Sequence, residues 1–200
     1  MSSEDNAVAA PKVLAFAGST RTGSYNKKLA QRAAASARAA GADVTLIDLR
    51  DFTMPLYDGD LETASGLPPY AVTFKELLLA HQGLLIASPE YNSSIPGVLK
   101  NAIDWASRVA PNEAPLACFA GKVAALTSAS PGALGGLRGL VTLRSILGNI
   151  QVLVLPEQVA IPKAHEAFTD DGALKDPKQQ AQLDRLSARL VGVLNKLAAT

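Results

Sequence analysis

A loop of small, hydroxyl-bearing residues, Gly18–Asn26, lies between a short apolar run and an amphipathic stretch. A helix that begins directly after such a loop points its free backbone N–H groups and the positive end of its dipole into the loop. Arg21 can add two parallel hydrogen bonds to an anion. The hydroxyl donors are those of Ser19, Thr20, Thr22 and Ser24. This pattern predicts an anion site at the start of the helix.

The order of residues in the loop decides which anions fit. Gly18 and Gly23 have the spacing of a triphosphate-binding P-loop, but Ser24 occupies the position of its lysine. The segment Ser19–Arg21 lacks the second glycine of a dinucleotide-binding loop. A hydroxyl-rich loop with one arginine suits a terminal monophosphate, such as that of flavin mononucleotide (FMN). The alternative is a helix start capped by Ser24 without a ligand, and capping and phosphate binding are compatible.

A second polar loop, Ser88–Gly97, also follows an apolar run of strand length. Pro89 and Pro96 stiffen this loop and leave its backbone amides available to the edge of a planar ring. Tyr91 can stack on such a ring, and Asn92 can donate to a ring oxygen or orient the turn. The alternative is an ordinary surface turn in which Tyr91 packs on a neighbouring residue.

Apolar runs of strand length alternate with helix-length stretches along the chain. Strands are predicted at Lys12–Ala17, Asp43–Leu49, Gly83–Ala87, Lys122–Ser128 and Gln151–Leu155. Helices are predicted at Ser24–Ala40, Pro69–His81, Gly97–Arg108, Gly136–Leu147 and Lys178–Lys196. Two long connections remain, Arg50–Pro68 and Pro156–Pro177, and connections of this length are usually functional or mobile.

The alternation predicts an α/β fold, a flavodoxin-like three-layer sandwich. Its five-stranded parallel sheet is expected in the order 2-1-3-4-5, with helices on both faces. In this order, the first and third strands flank the point at which the winding of the chain reverses. Ligands bind outside the carboxyl ends of the strands at that point, so the two polar loops are expected to meet at one crevice.

Few side chains outside the two loops could perform acid–base or metal chemistry. His81 and His165 are predicted to be solvated surface residues, and no His/Cys cluster has the spacing of metal ligands. The single cysteine, Cys118, is predicted to be a buried structural thiol. The segment Phe168–Gly172 has part of a calcium-loop pattern but lacks its closing glutamate, so it is predicted to be a turn. We therefore expect no metal and no catalytic side chain, because a cofactor would carry the chemistry.

The bulk composition limits the classes of protein. The chain has 200 residues, is 48% hydrophobic and has a net charge of +1. It is expected to form one domain over residues 11–200, after a disordered N-terminal tail at residues 1–10. The balanced charge predicts neither nucleic acid nor a membrane surface as a partner, and no apolar run approaches the roughly 20 residues of a membrane helix. The single cysteine and the polar N-terminal segment favour a cytoplasmic protein.

Four segments resemble the motifs of the NADPH-dependent FMN reductase family, and together they extend over most of the chain. The family includes bacterial quinone, chromate and azo-dye reductases. The motifs lie at Gly18–Ala30 (GSTRTGSYNKKLA), Pro55–Asp58 (PLYD), Ser88–Trp105 (SPEYNSSIPGVLKNAIDW) and Gly135–Leu147 (GGLRGLVTLRSIL). The third of these motifs is very specific.

The resemblance implies that the chain binds FMN. The residues implied at the phosphate are Ser19, Arg21, Ser24 and Asn26, with Tyr25 in the same motif. Those implied at the isoalloxazine edge, largely through their backbone, are Pro89, Glu90, Tyr91 and Asn92. Ser128, in the loop after the fourth strand, is implied near the other side of the ring. Arg138 and Arg144 are implied to be interface or helix-packing residues, since the family forms homodimers, often paired into homotetramers.

The expected function is that of an FMN-dependent NAD(P)H oxidoreductase with a ping-pong cycle. NADPH or NADH would reduce bound FMN, and a quinone, free flavin, azo dye or oxidised metal ion would then take the electrons. One alternative is a flavodoxin-type electron carrier, although such carriers are usually strongly acidic. Others are an FMN-bound oligomeric regulatory protein and a nucleotide-binding module, against which Ser24 in place of a lysine argues. The electron acceptor, the choice of nicotinamide and the size of the oligomer stay open at this stage.

Overall fold

A five-stranded parallel sheet forms the centre of the computed structural model, which describes residues 9–199. The strands are β1 (Lys12–Ala17), β2 (Asp43–Asp48), β3 (Gly83–Ala87), β4 (Val123–Ala129) and β5 (Leu153–Ile161). They lie in the order β2-β1-β3-β4-β5, and every neighbouring pair is parallel. The predicted strand order and the flavodoxin-like fold are therefore confirmed. The predicted tail lies outside the described residues except for Ala9 and Ala10, which are exposed.

Helices cover both faces of the sheet, as predicted. They are α1 (Tyr25–Ala39), α2 (Gly59–Ser65), α3 (Pro69–Ala80), α4 (Gly97–Ala106), α5 (Leu137–Asn149), α6 (Ala164–Ala167) and α7 (Pro177–Ala198). The cores place α1 and α7 on one face and α3, α4 and α5 on the other. The central strand β3 is apolar and buried at every position because both faces of the sheet are covered. Within residues 9–199, no helix combines the length and the hydrophobicity that crossing a membrane requires.

Helix α1 packs closely because its inner face is lined by alanines. The buried members of this face are Ala30, Ala33, Ala34 and Ala37, each at most 2% exposed. Side chains this short let α7 approach, and the buried leucines of α7 fill the space between the helices: Leu183, Leu186, Leu190 and Leu194. The packing fixes the start of α1 beside the carboxyl end of β1.

Strand β5 is longer than predicted, so the expected strand Gln151–Leu155 is wrong at its end. The strand continues through Pro156 to Ile161. Proline is tolerated here because β5 is an edge strand of the sheet. The register is also irregular, since the three residues Leu155–Glu157 stand opposite the single residue Ala125. The part of β5 beyond this bulge pairs with the end of β4 and extends β4 to Ala129.

The two long connections contain structure that the sequence analysis left as loop. The first includes a 3-10 turn at Leu49–Asp51 and helix α2, whose first turn is capped by the Asp58 carboxylate at 2.8 Å from the Asp60 nitrogen. The second includes the end of β5 and the short helix α6. Helix α2 has no buried residue, so hydrophobic periodicity could not reveal it.

The second family-like motif is fastened to the third by a polar clamp. The carbonyl oxygen of Pro55 accepts hydrogen bonds from the side chains of Asn101 (2.9 Å) and Trp105 (2.8 Å). In return, the Tyr57 N–H donates to Asn101 Oδ1 at 2.8 Å. The ring of Tyr57 also packs edge-on against Trp105, with ring centroids 5.0 Å apart. The clamp fixes the connection after β2 against α4.

The reactive side chains outside the loops are placed as predicted with one exception. Cys118 is buried, as predicted, and burial raises the pKa of its thiol. His165 is exposed, as predicted. The prediction for His81 is wrong, because its ring is buried and hydrogen-bonded by Thr45 Oγ1 at 2.8 Å and the Leu77 carbonyl at 2.6 Å. His81 follows directly after α3, so its ring can reach both the helix and the neighbouring strand β2.

A buried ion pair fastens the connection after α4 to α3. Lys75 Nζ lies 2.6 Å from Glu113 Oε2, with the two side chains 5% and 13% exposed. The ammonium also donates to the carbonyls of Ala106 and Arg108. Burial raises the pKa of Glu113, but hydrogen bonds from the Ala110 N–H and from Lys75 outweigh it and hold the pKa below its ordinary 4.5.

We expect Glu113→Ala to lower the free energy of unfolding by about 3 kcal/mol, because a buried ammonium loses its carboxylate. Lys100→Ala removes a pair with 49% and 33% exposed side chains and should cost less than about 1 kcal/mol. Since the pKa of Glu113 is lowered by folding, its stabilisation is present above pH 4.5 and is lost as the pH falls through the folded-state pKa. Urea unfolding at neutral and acid pH measures both effects. Equal costs for the two variants would contradict this role of the buried pair.

Candidate functional site

The two polar loops meet at a cavity of about 330 Å³ at the carboxyl ends of β1, β3 and β4. This position is the one that the strand order predicts. The cavity is lined by Arg21, Ser24, Tyr25, Asn26, Pro89, Glu90, Tyr91, Ala129, Ser130 and Pro131. Seven of the ten predicted site residues are among them, while Ser19, Asn92 and Ser128 are not. The other three lining residues, Ala129, Ser130 and Pro131, lie in no motif that points to the site.

The first loop presents donors and no carboxylate. Ser24 has the extended backbone of an N-cap residue (φ −71°, ψ 126°), but its hydroxyl makes no capping hydrogen bond. The alternative of a helix start capped by this side chain is therefore not what the structure contains. No acidic residue lies in the first turn of α1. The first N–H groups of a helix have no partner within the helix, so this end of the cavity favours an anion.

The guanidinium of Arg21 is held over an aromatic ring. Its Cζ lies 5.4 Å from the ring centroid of Tyr25, and that ring stacks on Phe168 at 6.3 Å with an interplanar angle of 6°. Lys28 Nζ lies 6.0 Å from the centroid of Phe168. Each ring of the stack thus lies close to a cation, which is attractive because aromatic ring faces are electron-rich. The stack limits the positions that Arg21 can take at the mouth of the cavity.

Phe168 is a contributor that the sequence analysis placed only in a turn. That turn is confirmed, with the Gly172 N–H donating to the Thr169 carbonyl at 2.9 Å. It is tied to α1 by Arg32, which donates to the carbonyls of Gly172 at 2.9 Å and Asp171 at 2.8 Å. An aromatic residue beside a turn gave no signal of this role, because its partner Tyr25 is distant in the sequence.

Asn26 joins α1 to the end of β4. Its Nδ2 donates to the carbonyl oxygen of Ala129 at 2.8 Å, and the Ala129 N–H donates to Oδ1 at 2.9 Å. The side chain is 3% exposed, so both hydrogen bonds are shielded from water. The predicted contact of this amide with a phosphate therefore competes with a structural role. Asn26 sets the distance between the first loop and the loop after β4.

The second loop is a tight turn with a rigid base. Tyr91 and Ser94 exchange two backbone hydrogen bonds of 3.0 Å, and the residues between them, Asn92 and Ser93, have φ of 52° and 64°. Positive φ at both central positions is typical of a type I′ turn. Pro89 is buried, whereas Tyr91 is 55% exposed. The ring of Tyr91 is therefore open to solvent at the edge of the cavity rather than packed on a neighbour.

Glu90 turns its carboxylate toward helix α5. Oε2 accepts hydrogen bonds from the N–H groups of Arg138 (3.0 Å) and Gly139 (3.2 Å), and Oε1 accepts from Arg138 Nε at 2.8 Å. Burial raises the pKa of Glu90, but the hydrogen bonds from Arg138 and Gly139 lower the pKa below its ordinary value. The implied packing role of Arg138 thus takes the form of an ion pair with the second loop. Arg144 packs α5 on β5 by donating to the Leu155 carbonyl at 2.6 Å.

The prediction that Ser128 lies in the loop after the fourth strand is wrong. Ser128 is fully buried inside β4, and its Oγ is a buried side-chain atom without a hydrogen-bond partner among the described residues. The physical reason is the extension of β5, since Ser128 pairs with Ala160 beyond the bulge. The loop begins after Ala129 instead.

The donors at the cavity fit a flavin mononucleotide. The start of α1, the Ser24 hydroxyl and Arg21 suit a phosphate monoester, and neither the first loop nor the first turn of α1 carries an acidic side chain. Pro89 and Tyr91 border the other side of the cavity with backbone and an exposed aromatic ring, which suit the edge of a flat heterocycle.

Comparison with known proteins agrees with this geometry. The model of the family described as NADPH-dependent FMN reductase matches residues 11–166. An NAD(P)H-dependent FMN reductase of Pseudomonas aeruginosa is 44% identical over 168 residues, 84% of this chain and 86% of the relative. A quinone reductase of Escherichia coli K12 is 35% identical over 181 residues, 90% and 91% of the two chains.

A solved structure leads to the same group. The flavoenzyme NAD(P)H:(acceptor) oxidoreductase FerB of Paracoccus denitrificans superposes with a TM-score of 0.78 at 29% identity, covering 94% of this chain and 98% of that one. The matched region contains both loops, the cavity and the strands that position them. This chain belongs to the NADPH-dependent FMN reductase family.

Proposed function

We propose that this chain is an FMN-dependent NAD(P)H oxidoreductase that passes electrons to small-molecule acceptors in a ping-pong cycle. The observation that carries the proposal is the meeting of the two loops at one cavity, with phosphate donors in the first loop and a hydrogen-bonded turn in the second. The name of the Escherichia coli relative, a quinone reductase, supports quinones as acceptors. Free flavin, azo dyes and oxidised metal ions are the further acceptors in the proposal.

In this proposal, the described residues that line the cavity bind and orient the flavin, and proton transfer is not assigned to any of them. Bound FMN supplies the hydride chemistry. Arg21, Ser24 and the start of α1 would hold its phosphate, and the backbone of Pro89–Asn92 would hold its ring. The one carboxylate that lines the cavity, Glu90, is already paired with Arg138. A site without a free acid or base suits the transfer of a hydride or electrons better than hydrolysis or group transfer.

The test is to purify the protein and mix it with FMN under anaerobic conditions. We expect a yellow protein that NADPH or NADH bleaches and that a quinone turns yellow again, followed by absorbance in a stopped-flow instrument. A colourless protein that FMN does not stabilise against unfolding would overturn the proposal. A yellow protein that neither nicotinamide bleaches would be an electron carrier, and slow turnover with every acceptor would indicate a regulatory protein.

The role of Asn26 can be separated from its contribution to stability. Asn26→Ala removes two buried hydrogen bonds and should cost about 2 kcal/mol of unfolding free energy. It should also weaken FMN binding about tenfold, because the loop after β4 loses its fixed distance from α1. Asn101→Ala is the matched control, since that amide makes the same reciprocal contact with the backbone of Pro55 and Tyr57. Equal FMN affinities for the two variants, measured by fluorescence titration, would remove Asn26 from the site.

Self-association is a further part of the proposal, supported by two groups of exposed apolar side chains. The first group is Leu56 (82% exposed) and Val109 (53% exposed). These two residues lie close together, because Arg108 Cζ, next to Val109 in the chain, is 5.1 Å from the ring centroid of Tyr57, next to Leu56. The second group lies on one face of α5 and the turn before it: Leu134, Leu137 and Val141, at 52%, 39% and 62% exposure. Two such patches on one chain suit a homodimer that pairs into a homotetramer.

We expect sedimentation equilibrium to give a mass of two or four times that of the 20.8 kDa chain. Leu56→Ser and Val141→Ser should each weaken one of the two contacts, so the variants should differ in the smaller species that remains. A wild-type protein that sediments as a monomer would overturn this part of the proposal without touching the flavin site.

The proposal takes residues 11–200 as one FMN-binding domain. The family match over residues 11–166 and the packing of α7 on α1 support this extent. The proposal also places the protein in the cytoplasm, where the one cysteine of the chain, Cys118, would stay reduced.

A further inference from the structure

Glu90 is the one acidic side chain among the residues that line the cavity, and neither end of a flavin needs a carboxylate there. Its side chain is 8% exposed. A buried carboxylate is costly unless hydrogen-bond donors surround it. The place where Glu90 finds these donors therefore shows what the side chain does.

The donors belong to the start of helix α5. Oε2 of Glu90 accepts from the N–H groups of Arg138 and Gly139, which lie 48 and 49 residues later in the chain. These groups have no partner within the helix, and the residue at the N-cap position, Gly136, has no side chain that could serve them. Glu90 thus acts as the N-terminal cap of α5 from a distant loop.

Glycines let the helix come close enough for this cap. Gly136 has a φ of +91°, and a Cβ at this position would lie 1.9 Å from Ser128 Oγ. A Cβ at Gly139 would lie 3.2 Å from Glu90 Cβ and 3.2 Å from the Ser94 carbonyl oxygen. The start of α5 therefore packs directly on both ends of the second loop.

The second loop depends on such support because its backbone is strained. Asn92 and Ser93 both have positive φ, which costs free energy for residues with a side chain. We propose that Glu90 is a positioning residue: by capping α5, it fixes the backbone of Pro89–Asn92 in the shape that receives the flavin ring. This inference rests on the proposed function and assigns to Glu90 a role through its side chain rather than its backbone.

The experiment separates the ring side of the site from the phosphate side. Riboflavin carries the ring of FMN without its phosphate, so apoprotein is titrated with both flavins and the quenching of flavin fluorescence is followed. Glu90→Ala should weaken the binding of both flavins by the same factor, about tenfold, as the loss of a helix cap implies. Arg21→Ala should weaken the binding of FMN but not that of riboflavin, because Arg21 is assigned to the phosphate.

Two further variants distinguish positioning from charge and from general stability. Glu90→Gln keeps a carbonyl oxygen for the two N–H groups and should retain affinity within about threefold of wild type, because the ion pair that it loses involves the 59% exposed Arg138. Gly139→Ala should weaken the binding of both flavins, because the added Cβ would lie 3.2 Å from Glu90 Cβ and displace that side chain. Alanine has a higher helix propensity than glycine, so urea unfolding of this variant shows whether a loss of affinity comes with a loss of stability. Asp104→Ala removes a more exposed carboxylate on α4 and should change neither affinity.

Each outcome bears on one claim. Wild-type apoprotein that binds neither flavin overturns the proposed function. Wild-type binding with unchanged affinities in Glu90→Ala and Gly139→Ala overturns the positioning role. Equal losses in Glu90→Gln and Glu90→Ala would assign the effect to charge and overturn the capping role. If Glu90→Ala does not fold, Gly139→Ala carries the test alone.

Discussion

The pairing of β1 with β3 is the interaction on which the candidate site depends. The last rung is the hydrogen bond from the Gly18 N–H to the Ala87 carbonyl, at 2.9 Å. Beyond this hydrogen bond the two strands separate. β1 continues into α1 and β3 into the turn before α4, and these two helices lie on opposite faces of the sheet. A Cβ at Gly18 would lie 2.8 Å from Leu99 Cδ2 and 3.1 Å from Leu99 Cβ. Glycine at this position therefore lets α4 close over the end of β1, and the cavity forms where the loops diverge.

Much of the fold was predictable because a sheet buried on both faces leaves a simple pattern. Continuous apolar runs mark β1 and β3, and their alternation with helices requires parallel pairing. The errors fall where this pattern is weak. The end of β5 is interrupted by Pro156 at a bulge of an edge strand, and α2 buries no residue at all. Local sequence also gave no sign that His81 is buried, since its two partners come from different elements.

In the candidate site, too, some features could be predicted from the sequence and others could not. The loops themselves could be predicted, because a glycine- and serine-rich stretch between a strand and a helix limits what a chain can bind. The contacts that hold the loops could not be predicted. Asn26 bonds to a residue 103 positions away, and Glu90 to residues 48 and 49 positions away. Such pairs depend on which strands lie side by side, and Ser128, predicted in a loop, lies inside β4 because the end of that strand pairs with β5.

These distant contacts share a feature that bears on how the site works. Asn26 uses its side chain to hold the backbone of Ala129, which lines the cavity, and Glu90, itself a lining residue, uses its side chain to hold the second loop against the backbone of α5. Backbone that is held in one conformation is already arranged for a rigid, planar ligand, so little order has to be gained when the ligand binds. The loops can be held in this way while the entrance of the cavity stays open to solvent, since Tyr91 and Arg21 are exposed there. For the proposed flavin site, we therefore expect the two loops to set the choice of cofactor and the exposed entrance to admit second substrates of varied shape.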